Sequence, residues 1–289
     1  MKILVIGSGF IGTAIIQRLE SEGHEVLIYS RTFNEKVHSK QVLVNILDFN
    51  DFKELFSWEP QIVIHTAWIT THDRYQNDLS NNKYAQFTSD LAKHISHTGI
   101  EQLIVLGTCA EYGHQNDAST AGITKLSPNN LYAEQKVAAF HAAKELLEES
   151  KVRLTWARIF QPYGPMQDKN RLIPYLIRSI KSGDPIRLSD TSSIRDWITT
   201  RDISSAITWT MNQELPTEID IGTTFGFTNL EIVHHLEELL ERTARWEQTA
   251  QHASQVQEIS IVGKDSPLLK SGWAPTDSLN NGLKWVLNS

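Results

Sequence analysis

Six residues near the N-terminus constrain this chain more than any others. Gly7-Ser8-Gly9-Phe10-Ile11-Gly12 has the spacing GxGxxG, directly after the apolar run Ile3–Ile6 and at the mouth of a helical pattern from about Ile11 to Leu19. In a strand-turn-helix of this kind the first glycine permits the tight turn. The second lets a pyrophosphate approach the backbone, and the third lets the helix pack closely on the strand. The helix start, with Phe10 and Ile11, offers unpaired N–H groups and the positive end of the helix dipole. A strand-turn-helix corner without a ligand is the plain alternative. The position at the very first βα turn favours a dinucleotide site at Gly7, Gly9, Phe10, Ile11 and Gly12.

The pattern downstream agrees with that beginning. Strand-like runs at Val26–Tyr29, Val42–Val44, Ile62–Ile64, Leu103–Leu106 and Leu154–Ala157 alternate with helical stretches at Phe52–Phe56, about Lys83–His97 and Tyr132 to about Glu149. Strands separated by helices imply right-handed crossovers and a parallel, doubly wound sheet. After Gly164-Pro165 turn signals become denser and the alternation loosens. The expected fold is therefore α/β: a Rossmann-type dinucleotide-binding domain over residues 1–164, and a smaller C-terminal substrate-binding α/β lobe over 165–289. A stretch near 195–212 is expected to return to the first domain.

Composition closes off several classes. A formal net charge of −7 argues against a nucleic-acid binder, which needs clustered Lys and Arg. No apolar run approaches the roughly 20 residues of a bilayer span, and Met1-Lys2 leads straight into the first strand without a signal-peptide pattern. The single cysteine, Cys109, excludes an internal disulfide and suits a cytoplasmic location. His94 and His97 share a helical face, but no third ligand follows at metal-site spacing, so no metal is expected.

The second strand ends in Ser30-Arg31-Thr32, without the carboxylate that commonly grips a ribose 2′-hydroxyl. Arg31 suits bidentate pairing with a 2′-phosphate, with Ser30 adding a hydrogen bond, or it is a solvated surface residue. NADP is thus preferred over NAD. Asp48, after the third strand, bonds the adenine or caps the next helix.

Tyr132 and Lys136 stand at i and i+4, on one helical face. A free phenol is a poor acid-base catalyst at neutral pH, and a neighbouring ammonium is expected to pull its pKa down. Alone, such a pair is a common surface feature. Upstream, Gly107-Thr108-Cys109-Ala110-Glu111-Tyr112-Gly113 follows an apolar run, so Thr108 provides a hydroxyl at a strand's carboxyl end. Such a hydroxyl hydrogen-bonds a substrate oxygen that Tyr132 protonates.

Together, the glycine loop, Thr108 and the Tyr132/Lys136 pair resemble the extended short-chain dehydrogenases, the nucleotide-sugar epimerase/dehydratase/reductase family. Further segments carry the resemblance: Ile64-His65-Thr66-Ala67, Arg158 to Pro165 (the family's Arg-x-Phe-Asn-x-Tyr-Gly-Pro), Arg195-Asp196-Trp197-Ile198 with Asp202, and the ending from Asp265 to Trp285. The resemblance implies a catalytic Thr108, Tyr132 and Lys136, with Tyr132, Lys136 and Ala67 also at the cofactor. It implies substrate contacts from Trp68, Cys109, Gln161, Arg171, Leu172 and Arg195, the last on the diphosphate. Gln161 departs from the family's Asn. A nucleotide-diphosphate sugar is the implied partner, in a homodimer.

The family's dehydratases carry Asp-Glu directly after the catalytic Thr; Cys109 and Ala110 stand there in this chain, and Glu111 comes one place late. The runs His65 to Trp68, Gly107 to Tyr112 and Arg171 to Pro174 resemble a subgroup assigned as NDP-4-keto-6-deoxysugar reductases. The implied activity is NAD(P)H-dependent reduction at the sugar C4 in deoxysugar and cell-surface polysaccharide biosynthesis. A 4-epimerase with tightly held NAD and a catalytically silent NADP sensor are the alternatives.

Overall fold

A computed structural model describes residues 1–49, 51–249 and 258–289. Its first half runs β1 (Lys2–Ile6), α1 (Phe10–Ser21), β2 (Glu25–Ser30), β3 (Lys40–Leu43), α2 (Phe52–Phe56), β4 (Ile62–His65), α3 (Ser80–Ile95), β5 (Gln102–Thr108), α4 (Leu131–Leu147) and β6 (Arg153–Ile159). The second half adds β7 (Gln161–Tyr163), α5 (Leu172–Ser182), β8 (Ile186–Leu188), β9 (Ile194–Thr199), α6 (Thr200–Met211), β10 (Glu218–Ile221) and β11 (Gly226–Thr228). It closes with α7 (Asn229–Leu240), β12 (Trp246–Gln248), β13 (Ile259–Ser260), α8 (Pro267–Lys270) and α9 (Leu279–Leu287).

The central sheet has seven strands in the order β10-β6-β5-β4-β1-β2-β3, every neighbouring pair parallel. Ile3, Leu4, Val5 and Ile6 of β1 are all fully buried, because a parallel sheet is covered on both faces. One face packs α2, α3 and α4 through Phe52, Leu91 and Phe140; the other packs α1 and α6 through Ile15, Ile16, Ile203 and Ile207. Strand β3 lies at Lys40–Leu43 rather than Val42–Val44. It is an edge strand with exposed Lys40 and Leu43, so its apolar pattern marks its ends poorly.

The order reverses between β1 and β4, and at such a switch point the strands' carboxyl ends open a crevice. Over it lies a second cluster built on α5, α7 and α9, including Ile173, Leu176, Ile232, Leu236 and Leu283. The stretch 195–212 is divided between the two: α6 packs beside α1, while β9 pairs with β7, β11 and β13 in the smaller sheet. Tyr84, Phe87, Leu91 and Ile95 of α3 and Ala139, Phe140, Ala143 and Leu147 of α4 are buried in the chain's own core. Among the described residues no helix is long and apolar enough to cross a membrane.

Candidate active site

The glycine loop leaves the carboxyl end of β1 with Gly7 at φ +105°, a conformation that L side chains rarely adopt. A Cβ there would lie 2.6 Å from Thr66 Oγ1 and 2.8 Å from the Ala67 nitrogen, and one on Gly12 would lie 2.3 Å from the Gly7 carbonyl oxygen. These glycines therefore lock β1, α1 and the end of β4 together. Gly9 differs: nothing approaches its Cβ position within 4 Å. It also forms the α1 N-cap without a side-chain hydrogen bond, and the first turn holds no acid. Open space, uncommitted N–H groups and a helix start fit a dinucleotide pyrophosphate at Gly9, Phe10 and Ile11. Asn34, which sequence reasoning passed over, braces the loop by donating to the Ser8 carbonyl (3.1 Å) and the Thr13 hydroxyl (2.8 Å).

At the end of β2, Ser30 is buried and its hydroxyl donates to the Thr32 carbonyl at 2.9 Å, so it already has a partner. Arg31 is exposed, forms no ion pair among the described residues, and acts electrostatically on Tyr84 of α3. Asp48 is exposed in a short 3-10 turn and accepts from the Asn45 side chain at 2.6 Å. It is not the cap of α2; Asp51 is, accepting from the Glu54 nitrogen at 3.0 Å.

Tyr132, Lys136 and Thr108 converge over the ends of β4 and β5, but not in the pairing that i, i+4 spacing suggests. Burial raises the pKa of the Tyr132 phenol, and the Thr108 side chain lies near enough to work against that rise. Lys136 turns away from the phenol. Its Nζ donates to the Leu106 carbonyl at 2.5 Å and sits 3.8 Å from the centroid of the Trp68 ring. Burial lowers its pKa to about 7, with Glu111 acting in the opposite direction. An ammonium taken out of water seeks an acceptor and an aromatic face, and both lie beneath α4.

Trp68 is thus a buried floor rather than an open wall. It stacks on Tyr84 (centroids 5.5 Å apart), meets Tyr132 edge-on (6.4 Å), and donates from Nε1 to Asn81 Oδ1 at 2.7 Å. Asn81 is itself wholly buried and donates to the Tyr75 and Asp78 carbonyls. No feature of the sequence around Asn81 marked that role. The segment before α3 also covers the site: the Tyr132 nitrogen donates to the Gln76 carbonyl at 2.9 Å, and Tyr75 meets Tyr132 edge-on at 5.1 Å.

The other substrate-side residues arrive from two directions. Cys109 and Gln161 meet beside Thr108, with Gln161 Nε2 3.9 Å from Cys109 Sγ. Burial pushes the Cys109 thiol up to about 11, so it is a poor nucleophile. Arg195 lies close enough to Cys109 to influence it; its Nη2 is 3.0 Å from Asp190 and 3.8 Å from Glu258. Arg171, the N-cap of α5, donates to the Thr70 carbonyl at 2.8 Å and lies 4.9 Å over the Tyr75 ring. Leu172 instead packs into the lobe's own core.

Glu111 is closed off from solvent. It is wholly buried, accepting from the Thr108 nitrogen (2.9 Å), Trp156 Nε1 (3.1 Å) and Arg158 Nε (2.7 Å). The arrangement can relay a proton at the Tyr132–Thr108 pair, and among the described residues the carboxylate nearest in sequence to Thr108, Glu111, is already bonded to Trp156 and Arg158.

A family model described as "NAD dependent epimerase/dehydratase family" matches residues 3–222. The chain is 27% identical to a dTDP-glucose 4,6-dehydratase of Neisseria gonorrhoeae, over 64% of this chain and only 59% of that protein's length. It is 24% identical to the UDP-glucose 4-epimerase of Lactobacillus helveticus, over 81% of this chain and 80% of that one. In fold it is similar to the UDP-glucose 4-epimerase of Thermus thermophilus, solved in complex with NAD, with a TM-score of 0.87, 21% identity and coverage of 100% and 98% of the two chains.

Proposed function

The chain belongs to the NAD dependent epimerase/dehydratase family, and we propose that within it this protein reduces a nucleotide-diphosphate 4-keto-6-deoxysugar at C4, with NADPH preferred over NADH. The observation that carries the reading is the state of the residues after Thr108. Cys109 and Ala110 supply no acid, and Glu111 is sealed against Trp156 and Arg158. Elimination of a sugar hydroxyl needs one group to protonate the leaving oxygen and another to abstract a carbon-bound proton. The site offers instead a single hydroxyl-to-phenol relay, suited to protonating a carbonyl oxygen as it is reduced.

In this reading Gly9, Phe10 and Ile11 hold the dinucleotide's pyrophosphate, Ala67 lies against it, and Lys136 binds the nicotinamide ribose. Arg31 takes a 2′-phosphate, assisted by Ser30. Asp48 is left as the adenine contact. The bound cofactor supplies a hydride from its nicotinamide C4. Tyr132 holds at its phenol oxygen the proton that the sugar C4 oxygen takes up, and its raised pKa keeps that proton in place before the reaction. Thr108 bonds the same oxygen and steadies its developing charge. Arg195, Gln161 and Arg171 hold the nucleotide-diphosphate end, Cys109 and Trp68 bound the sugar side, and Leu172 supports them from the lobe.

The test is an NADPH-oxidation screen against dTDP-, CDP-, GDP- and UDP-4-keto-6-deoxysugars, run with wild type and Tyr132→Phe. Consumption that depends on Tyr132 supports the reductase. Similarity to 4-epimerases keeps one second reading in view: no consumption, but interconversion of UDP-hexoses, would replace the reductase with a 4-epimerase holding NAD. Binding of NADPH with neither activity would leave a silent sensor, a reading disfavoured by the presence of both Tyr132 and Lys136.

A further inference from the structure

We infer that Glu111 is a positioning residue for the reaction: its buried carboxylate, seated against Gly107, holds the Thr108 turn so that the Thr108 hydroxyl stays beside the Tyr132 phenol. The inference rests on the reading above only in taking Thr108 and Tyr132 as the proton-handling pair.

Thr108 is the last residue of β5 and the N-cap of a short 3-10 turn, Cys109–Tyr112. The turn is closed by a reciprocal capping box. The Thr108 hydroxyl accepts from the Ala110 nitrogen at 3.3 Å, and Glu111 Oε1 accepts from the Thr108 nitrogen at 2.9 Å. The first bond takes up one lone pair of the hydroxyl and sets its direction; the second fixes the backbone that carries it. A surface capping box has water as its alternative, but this one is sealed, with Glu111 wholly buried.

The neighbourhood is shaped around that carboxylate. A Cβ on Gly107 would fall 2.7 Å from Glu111 Oε1 and 2.4 Å from Trp156 Nε1, so a side chain there would evict one of them. Trp156 Nε1 reaches both carboxylate oxygens at 3.1 Å. The plain alternative is that Glu111 merely neutralises Arg158. Arg158, however, already has a second carboxylate, Glu218, at 2.8 Å from Nη1. The bond that Glu218 does not duplicate is the one to the Thr108 nitrogen. Glu111 also bears on the second half of the site. Lys136 faces His65 from β4 and Glu111 from the turn after β5, while it is turned away from Tyr132 on its own helix. His65 is held neutral by burial, its pKa lowered to about 3, which leaves Glu111 as the nearby charge that favours the ammonium.

The experiment compares wild type with Glu111→Gln, a shape-conserving change that replaces one acceptor oxygen by a donor facing donors. The expected result is a fall in kcat of roughly 10- to 100-fold, with KM and NADPH Kd within about twofold at a pH of about 6, below the titration of Lys136. The alkaline limb of NADPH binding, measured by fluorescence titration without substrate, is expected to move to lower pH as Lys136 loses its anion. Gly107→Ala, which keeps the carboxylate but crowds it out of position, should reproduce the loss in kcat. A folded Glu111→Gln with wild-type kcat and an unmoved binding limb would overturn the inference. So would failure of both variants to fold, since Glu111 would then be a determinant of the fold alone. If wild type reduces no 4-keto sugar, the reductase reading fails by itself. The same comparison then runs on UDP-hexose interconversion, or on the NADPH-binding limb alone, where a shift supports the role of Glu111 and its absence removes it.

Discussion

Arg158 and Lys136 are both cations buried under the carboxyl ends of β5 and β6, and the same carboxylate bears on each. Their surroundings differ. Arg158 is wholly buried between Glu111 and Glu218, with its guanidinium carbon 5.2 Å from the Tyr112 ring and 5.1 Å from the Phe140 ring. Burial opposes its charge, but Glu111, Tyr112 and Glu218 outweigh that and hold its pKa above the ordinary value. Among the described residues no carboxylate lies within hydrogen-bond reach of Lys136; it meets a carbonyl and an indole face, and burial wins, bringing its pKa down to about 7. A buried charge with paired, directional partners is committed to structure. One held only by a carbonyl and an indole face is left with a pKa near neutrality instead.

The largest expected effects test the two ends of that contrast. Tyr132→Phe should cut turnover by about 10²- to 10⁴-fold while leaving NADPH affinity within about twofold, as read by steady-state kinetics and fluorescence titration; a variant of near wild-type activity would remove the proton relay. Arg158→Met, at the committed pair, should cost roughly 3–5 kcal/mol in denaturant unfolding, because it strands Glu111 in the core with one charged partner fewer. A loss below about 1 kcal/mol would show that the paired cluster is not what holds this corner.

The next effect is on pH dependence. The folded pKa of Lys136, about 7, lies below the 10.5 of the unfolded chain. Between those values the unfolded state binds more protons, so this residue makes stability rise with pH, by at most about 1.4 kcal/mol per pH unit. Lys136→Met should flatten that rise, measured as the difference between the two proteins' unfolding free energies from about pH 7 to 10; parallel curves would mean that the ammonium is not desolvated. The smallest effect is expected at a cation that is neither buried nor paired. Arg31→Ala should weaken NADPH binding by about tenfold and leave NADH unchanged. Equal affinity of wild type for the two cofactors would end the NADP preference.

Much of the fold was legible from the chain alone. The glycine spacing after an apolar run and the strand-helix alternation are local patterns, and they led to a parallel sheet whose seven strands include β10 from the far end of the chain. The site was legible in part. Thr108, Tyr132 and Lys136 do meet, because strand ends and helix starts of a doubly wound sheet share one edge. The expected partnership of Lys136 with the phenol was not found: i, i+4 spacing puts two side chains on one face but does not say which acceptor a long chain takes, and Leu106 comes from β5 and Trp68 from the segment after β4. Asn81 and Asn34 were invisible for the same reason, since an amide becomes a brace only when a distant donor or carbonyl is brought to it.

Glu111 marks the boundary most clearly. By sequence it was a carboxylate one place too late for acid catalysis beside Thr108. The spacing of Gly107, Thr108 and Glu111 is a property of the chain alone, as is the positive φ that Gly7 permits, because both follow from covalent geometry over a few residues. That Glu111 turns inward to Trp156 and Arg158, 45 and 47 positions away, was decided only when β6 packed beside β5 and closed that corner to water. Burial and charge pairing are long-range quantities, and they drew one carboxylate inward while leaving Lys136 on a carbonyl and an indole face.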